Sequence, residues 1–204
     1  MSQKIVRDKA FLHRPCSPVD SIQEGEAIAA KLFSTLNEYP FGIGLSANQI
    51  GILKRVSIIV VPESEPLILI NPEITELSPE KVYYNEGCLS LPGKIVPTVR
   101  HLRVSISTLN HANVLTFGPD VDPVTSESIP TDYGLLKSVC IQHEIGHLNG
   151  QLITDDDVRV KQIATTTVKY GRNEKVVIEK DGETRYLKYK VALPMIENDG
   201  WRLI

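Results

Sequence analysis

The sequence predicts an α+β protein in which antiparallel β-sheets pack around a central helix, with a β-rich C-terminal extension. Three observations predict it. Two segments, 20–37 and 132–149, repeat apolar residues at helical spacing. The chain between them is a run of short β-branched stretches broken by Pro, Gly and Asn, and the tail carries a hairpin signal between two strand-like arms.

Taken in order, Asp20 and Gln23 have the form of a capping box, and Ile22, Ala29, Leu32, Phe33 and Leu36 follow on one helical face over 20–37. Pro40, Gly42, Gly44 and Gly51 close that helix. The segment GIGLSANQIG (Gly42 to Gly51) is loop-like by composition and opens into RVSIIVV (Arg55 to Val61) and LILI (Leu67 to Ile70), which read as paired strands. Further strands are expected at 81–84, 95–99, 103–107 and 114–117. Residues 118–131 hold three prolines without periodicity and form a loop into the second helix, which Gly150 caps at its C-terminal end. Asp155 to Asp157 read as a helix cap, since the terminal Glu of a calcium loop is missing. In the tail, Asp181-Gly182 is a type I′ turn signal. No repeat or low-complexity linker divides the chain, so residues 1–204 are expected to form one catalytic domain, with 165–204 as its strand-rich extension.

The chain has 204 residues, 42% hydrophobic and 23% charged, which is ordinary for a globular protein. Its 22 Lys plus Arg against 25 Asp plus Glu leave a net charge of −3 without a basic cluster, which argues against a direct nucleic-acid site. Its apolar runs fall far short of the roughly 20 residues that span a bilayer. Residues 1–15 lack the apolar core of a secretory signal, so a cytoplasmic location is expected. Three widely spaced cysteines, Cys16, Cys88 and Cys140, argue against a disulfide framework and leave metal binding or catalysis open.

The chemistry centres on His143-Glu144-Ile145-Gly146-His147, an H-E-x-x-H inside the second helix. Four residues make a little over one turn, so both imidazoles project from one face and can share a metal ion, with Glu144 beside them to handle a water proton. His143 and His147 extend the stripe Leu136, Val139, Cys140, which places them on the inward face. A catalytic site wants a third protein ligand. Position 153, where one protease class would place a third histidine, is Ile, and the next downstream Glu, Glu174, sits in a turn-like stretch. Upstream, Cys88 in EGCLSLP is the candidate third ligand, with a buried apolar filler as its other reading. Cys140 reads as a wall of the site.

GIGLSANQIG, EGCLSLP (Glu86 to Pro92) and QHEIGHLNG (Gln142 to Gly150) resemble, in order and spacing, the motifs G-x-G-L-x-A-x-Q, E-G-C-L-S and H-E-x-x-H of the peptide deformylase family. The resemblance runs over about residues 10–155. It implies a metal-dependent hydrolase that removes the formyl group from formyl-methionyl nascent peptides and releases formate. Cys88, His143 and His147 would bind the metal, Glu144 would act as base and then acid, and Gln49 with the backbone N–H of Leu89 would form the oxyanion hole. Ile43, Gly44, Leu45 and Gly87 would touch the peptide, and Ile43, Val139 and Cys140 would line the methionine slot. The ion implied is Fe2+, with Zn2+ or Ni2+ as occupants of purified protein, and the implied partners are the peptide and, transiently, the ribosome.

Two features depart from the family pattern. H-E-x-D-H is its usual form, and here the fourth position is Gly146, which deprives an arginine matching Arg100 of its usual acidic partner. The strand-rich tail is the other departure. Two rival readings are a metallopeptidase, disfavoured by its missing downstream ligand, and an inactive metal-binding relative that holds nascent peptides without turnover.

Overall fold

The computed structural model describes residues 2–62, 64–119, 131–155, 158, 175–180, 183–199 and 201–203. The chain divides into two compact units, Met1–Lys161 and Gln162–Ile204, where the sequence suggests one domain with an extension from residue 165.

The first unit begins with a short helix, α1 (Lys9–Leu12), capped by the Asp8 carboxylate, which accepts the Ala10 N–H at 2.9 Å. Helix α2 (Ile22–Leu36) starts later than the Asp20 signal suggests. Ser21 has the extended backbone of an N-cap and its hydroxyl accepts the Glu24 N–H at 3.2 Å, while Glu24 reaches back to the Asp20 N–H at 2.9 Å. The reciprocal pair therefore exists, but around Ser21 and Glu24.

Three short strands follow: β1 (Gly44–Ser46), β2 (Val56–Ile59) and β3 (Leu67–Ile70), antiparallel in the order β1-β2-β3. Gly44 lies opposite Ile59, Ser46 opposite Ser57 and Val56 opposite Ile70. The loop expected over 42–51 is thus a three-residue strand followed by a 3-10 turn, Ala47–Ile50. Every residue of β2 is buried, and its side chains alternate between two faces. Val56 and Ile58 pack with Ile28, Leu32 and Leu36 of α2, and Ile59 packs with Ile141 and Ile145 of the second long helix. Fully burying each such side chain is worth about 1.5–3 kcal/mol, which makes β2 the layer that both helices cover.

Strands β4 (Glu73–Leu77), β7 (Val104–Thr108) and β8 (His111–Phe117) form a second antiparallel sheet in the order β4-β7-β8. Strand β4, absent from the sequence expectation, is an exposed edge whose Glu73-Ile74-Thr75-Glu76-Leu77 buries no side chain and so shows little strand signal. Between them, β5 (Lys81–Gly87) and β6 (Ile95–His101) pair as a separate ribbon with Gly87 opposite Ile95. Helix α3 (Thr131–Leu148) lies close to the expected 132–149. Gly150 follows it with φ 77°, and the Gln151 N–H closes on the Gly146 carbonyl at 2.8 Å, the glycine-dependent C-terminal cap the sequence signals. Gln142 ties α3 to β6 by donating to the His101 carbonyl at 2.8 Å and accepting the His101 N–H at 2.9 Å.

In the second unit, β9 (Lys175–Lys180), β10 (Glu183–Lys188) and β11 (Arg202–Leu203) form a sheet in the order β10-β9-β11. Lys180 pairs with Glu183 as the hairpin signal requires, although the turn residues Asp181 and Gly182 lie outside the described residues. The tail is not purely strand-rich: α4 (Tyr189–Asn198) joins Ile178, Ala192 and Trp201 in a small core. Pro194 inside α4 hides it from a pattern search. Most of the loop expected at 118–131 and the aspartates Asp156 and Asp157 also lie outside the described residues, while the Asp155 carboxylate caps the Leu152 N–H at 2.8 Å.

Candidate metal and hydrolytic site

Helix α3, the β1 segment and the end of β5 bring the functional side chains together. One turn of α3 sets the His143 and His147 rings 4.9 Å apart. Cys88, just beyond β5, places its Sγ 3.2 Å from His147 Nε2, and ligand atoms of Cys88, His143 and His147 all lie within 4.8 Å of one another. His143 is oriented from behind. Its Nδ1 contacts Glu86 Oε2 at 2.6 Å, which leaves Nε2 available to a metal. Glu86 in turn receives Arg100 through two bonds, Nε to Oε1 at 2.6 Å and a terminal nitrogen to Oε2 at 2.9 Å, and accepts the Thr98 hydroxyl. Residues two apart share a face of a strand, and on the β5–β6 ribbon Thr98 and Arg100 stand on the face that Glu86 occupies.

Glu144 is held just as closely. Ser46 donates to its Oε2 at 2.6 Å, and the Ser57 hydroxyl lies 2.9 Å behind Ser46. Gly44 is packed so tightly that a Cβ there would come 2.5 Å from Glu144 Oε1 and 2.6 Å from Cys140 Sγ. Both contacts follow from the parity of β1: Gly44 and Ser46 face α3, whereas Leu45 faces α2 and is fully buried in that cluster. Gln49 Oε1 accepts the Ser46 N–H at 2.9 Å, which aims Nε2 of the same side chain at Ser90 Oγ, 3.2 Å away, and Cys88 Sγ, 3.6 Å away.

The electrostatics suit a cation. Burial favours a neutral Glu86, yet the bonds from His143 and Arg100 outweigh it and hold its pKa down to about 2. Burial likewise opposes a charged His143, but contacts with Cys88 and Glu86 and the charge of Glu144 push its pKa up to about 10. His147 is driven the other way, well below its usual value, by burial and by the neighbouring His143 charge, so it is a neutral imidazole ready to ligate. Burial raises the Glu144 carboxyl, against His143 and the Ser46 hydrogen bond. Burial, with Glu144 and Glu86 nearby, pushes the Cys140 thiol well above its usual value, leaving it a neutral wall. Glu86, Glu144 and Cys88, which hold a proton on His143, favour positive charge at this point, and a divalent ion bound there would take the proton's place. One thiol and two imidazoles with a carboxylate alongside also match the open three-ligand set of a catalytic metal site.

A groove of about 680 Å³ opens onto this centre, lined among others by Ile43, Gly44, Gln49, Gly87, Cys88, Leu89, Val139, Cys140, His143 and Glu144. His147 sits below it, 1% exposed. Of the candidate site residues, His147 and Leu45 do not line the groove, and Leu45 packs in the α2 cluster because the strand alternates and its neighbours face α3. Arg100, which has no acid at position 146 to pair with, pairs with Glu86 instead. Two residues given no role from sequence belong to the site: Glu86, which orients His143, and Ser46, which orients Glu144. The signal for Glu86 is an acid two positions before a candidate thiolate on a strand; for Ser46 there is none without the parity of β1.

A family model described as polypeptide deformylase matches residues 2–163. The peptide deformylase of Cellvibrio japonicus (strain Ueda107) is 40% identical over 146 residues, which cover 70% of this chain and 76% of that protein. That of Acinetobacter baumannii (strain SDF) is 32% identical over 173 residues, 80% of this chain and 89% of that one. Among solved structures, a peptide deformylase from Legionella pneumophila superposes with a TM-score of 0.61 at 28% identity, covering 74% of this chain and 83% of that chain. A class I type b peptide deformylase from Acinetobacter baumannii with Met-Ala-Ser bound gives a TM-score of 0.59 at 27% identity, covering 74% and 96%.

Proposed function

The chain belongs to the polypeptide deformylase family and removes the N-terminal formyl group from nascent peptides, and from that premise we propose that Cys88, His143 and His147 hold its divalent ion while Glu144, Gln49 and the Leu89 N–H act on the formyl group. The observation that carries this assignment is the convergence of one thiol and two imidazoles beside a carboxyl group pinned by Ser46. When bound, the ion turns a water into a nucleophile near neutral pH and polarises the formyl oxygen.

The chain's own residues do the rest. Ser46 occupies Oε2 of Glu144, so Oε1 is the oxygen that takes the proton from the attacking water. Its raised pKa suits a group that must first accept a proton and then give it up. As the formyl carbon becomes tetrahedral, its oxygen gains negative charge, and Gln49 Nε2 with the Leu89 N–H stabilises it. The C–N bond then breaks, Glu144 delivers the proton to the leaving nitrogen, and formate and a free amino terminus remain. Ile43, Val139 and Cys140 line the slot for the methionine side chain, and the neutral thiol of Cys140 keeps that slot apolar.

A thiolate with two imidazoles accepts iron, nickel or zinc. The family resemblance supports Fe2+ as the native ion, with zinc or nickel as substitutes after purification. The substrate is a formyl-methionyl chain as it leaves the ribosome, which places the reaction in the cytoplasm with a transient ribosomal encounter and no direct nucleic-acid site. Among the described residues no helix is long and apolar enough to cross a membrane. Iron-loaded protein is expected to release formate from formyl-Met-Ala-Ser without oxygen. Glu144→Ala should abolish turnover and retain the ion, and Cys88→Ala should lose the ion. Activity in Glu144→Ala would defeat the acid-base role.

A further inference from the structure

The mouth of the groove carries a charge asymmetry that the hydrolytic centre does not use. Two cations, Arg7 and Lys94, lie along its lining, and both are exposed. The two acids of the lining are already engaged and buried, Glu86 by Arg100 and His143 and Glu144 by Ser46. Among the described residues neither Arg7 nor Lys94 has an ion-pair partner, so the free charge of the lining is positive although the chain as a whole carries −3.

Both cations are placed by backbone rather than by chance side-chain position. The Val6 N–H donates to the Gln49 carbonyl at 2.8 Å and Ile5 is buried, which fixes Arg7 beside the turn that presents Gln49. Around Lys94, Gly93 takes a left-handed φ of 73°, the Lys94 N–H closes on the Leu91 carbonyl at 3.2 Å, and Ile95 pairs with Gly87. The same lining carries exposed apolar side chains, Phe41 96% and Ile95 69% exposed. A peptide that covers these side chains displaces water and strengthens any charge contact made there.

We propose that this mouth selects among formylated peptides by charge, favouring an acidic residue at one of the two positions after the initiating methionine and disfavouring lysine or arginine there. An extended chain rises about 3.3 Å per residue, so those positions lie within about 7 Å of the methionine. Both cations line the groove that would admit those positions, where charges closer than the Debye length of about 8 Å at physiological salt are only partly screened. The inference rests on the deformylase assignment above and adds a preference within its substrate class.

The test uses C-terminally amidated formyl-Met-Ala-Ser, so that no terminal carboxylate competes, and versions with Asp or Lys in place of Ala or of Ser. Two exposed contacts of this kind predict a kcat/KM for Asp peptides about 3–10 times that for Lys peptides at low salt, at one or both positions. The ratio should approach one at about 0.5 M salt, where screening is nearly complete. In the double variant Arg7→Glu, Lys94→Glu it should invert. A ratio within about twofold of one at both positions at low salt, or one that the double variant leaves unchanged, overturns the proposal. Turnover of the uncharged peptide by the parent protein separates the two claims, because its failure would count against the deformylase assignment itself.

Discussion

Replacing Glu86 with Gln tests whether the ligand set is organised from behind. Glu86 is 5% exposed, takes both Arg100 bonds and meets His143 Nδ1 at 2.6 Å. A glutamine of the same shape can offer one oxygen to Arg100 or to His143, and its amide donor faces either the guanidinium or the imidazole N–H. Loss of such a partner behind a metal-ligating histidine weakens metal binding by about 10–100-fold, or about 1.4–2.7 kcal/mol. Stability should fall as well. The surroundings of Glu86 hold its pKa from the usual 4.5 to about 2, a preference for the ionised form of about 3 kcal/mol. Breaking a buried ion pair from one side costs about 3–5 kcal/mol, and the lower end applies here because one Arg100 bond survives. Competition against a chelator of known affinity measures the first effect, and urea unfolding of protein stripped of metal measures the second. An affinity within about twofold of the parent, with an unfolding free energy lowered by less than about 1 kcal/mol, would refute the reasoning.

Three further outcomes are expected. Gly44→Ala puts a methyl 2.5 Å from Glu144 Oε1 and 2.6 Å from Cys140 Sγ, and relieving that contact moves the carboxylate by about 1 Å. Such a misplacement costs about a hundredfold in kcat/KM with metal content retained, so an active Gly44→Ala would mean that the position of Glu144 is not critical. Gly146→Ala, by contrast, meets nothing closer than Gln151 at 3.8 Å inside α3, and should raise stability by about 1 kcal/mol in urea unfolding. Loss of stability there would show that the helix needs glycine for a reason its packing does not contain. Burial pushes the Cys16 thiol from its usual 9.0 up to about 11, against the nearby Arg55, so the folded chain holds that proton more tightly than the unfolded one. Its contribution is complete below about pH 9 and is lost as pH rises towards 11. Cys16→Ala should flatten that alkaline decline in the urea midpoint, and an unaltered slope would place the titration elsewhere.

The candidate site is legible in the sequence where one helix carries several groups. His143, Glu144 and His147 share a helical turn, so their relation follows from helical geometry alone, and Gly150 marks where that helix stops. Where a function depends on pairing between separate strands, the sequence is silent until the register is known. In GIGLSANQIG the sequence points to Leu45 as a peptide contact and gives its neighbour Ser46 no role, yet Ser46 holds the Glu144 carboxyl group and Leu45 is core, because a strand as short as Gly44–Ser46 has no visible alternation. Its parity is set by its partner: Ser46 opposite Ser57 and Gly44 opposite Ile59, with Ile59 packed on α3. The same dependence explains Arg100. Read beside Gly146 it lacks an acid, but the β5–β6 register carries it to Glu86, and through Glu86 to His143. With glycine at position 146, the acid that meets this arginine is a strand residue, Glu86, two positions from Cys88. This arrangement couples Cys88 and His143 through one ribbon. Disturbing that ribbon should then displace two of the three proposed ligands at once, whereas a substitution at position 146 should leave both in place.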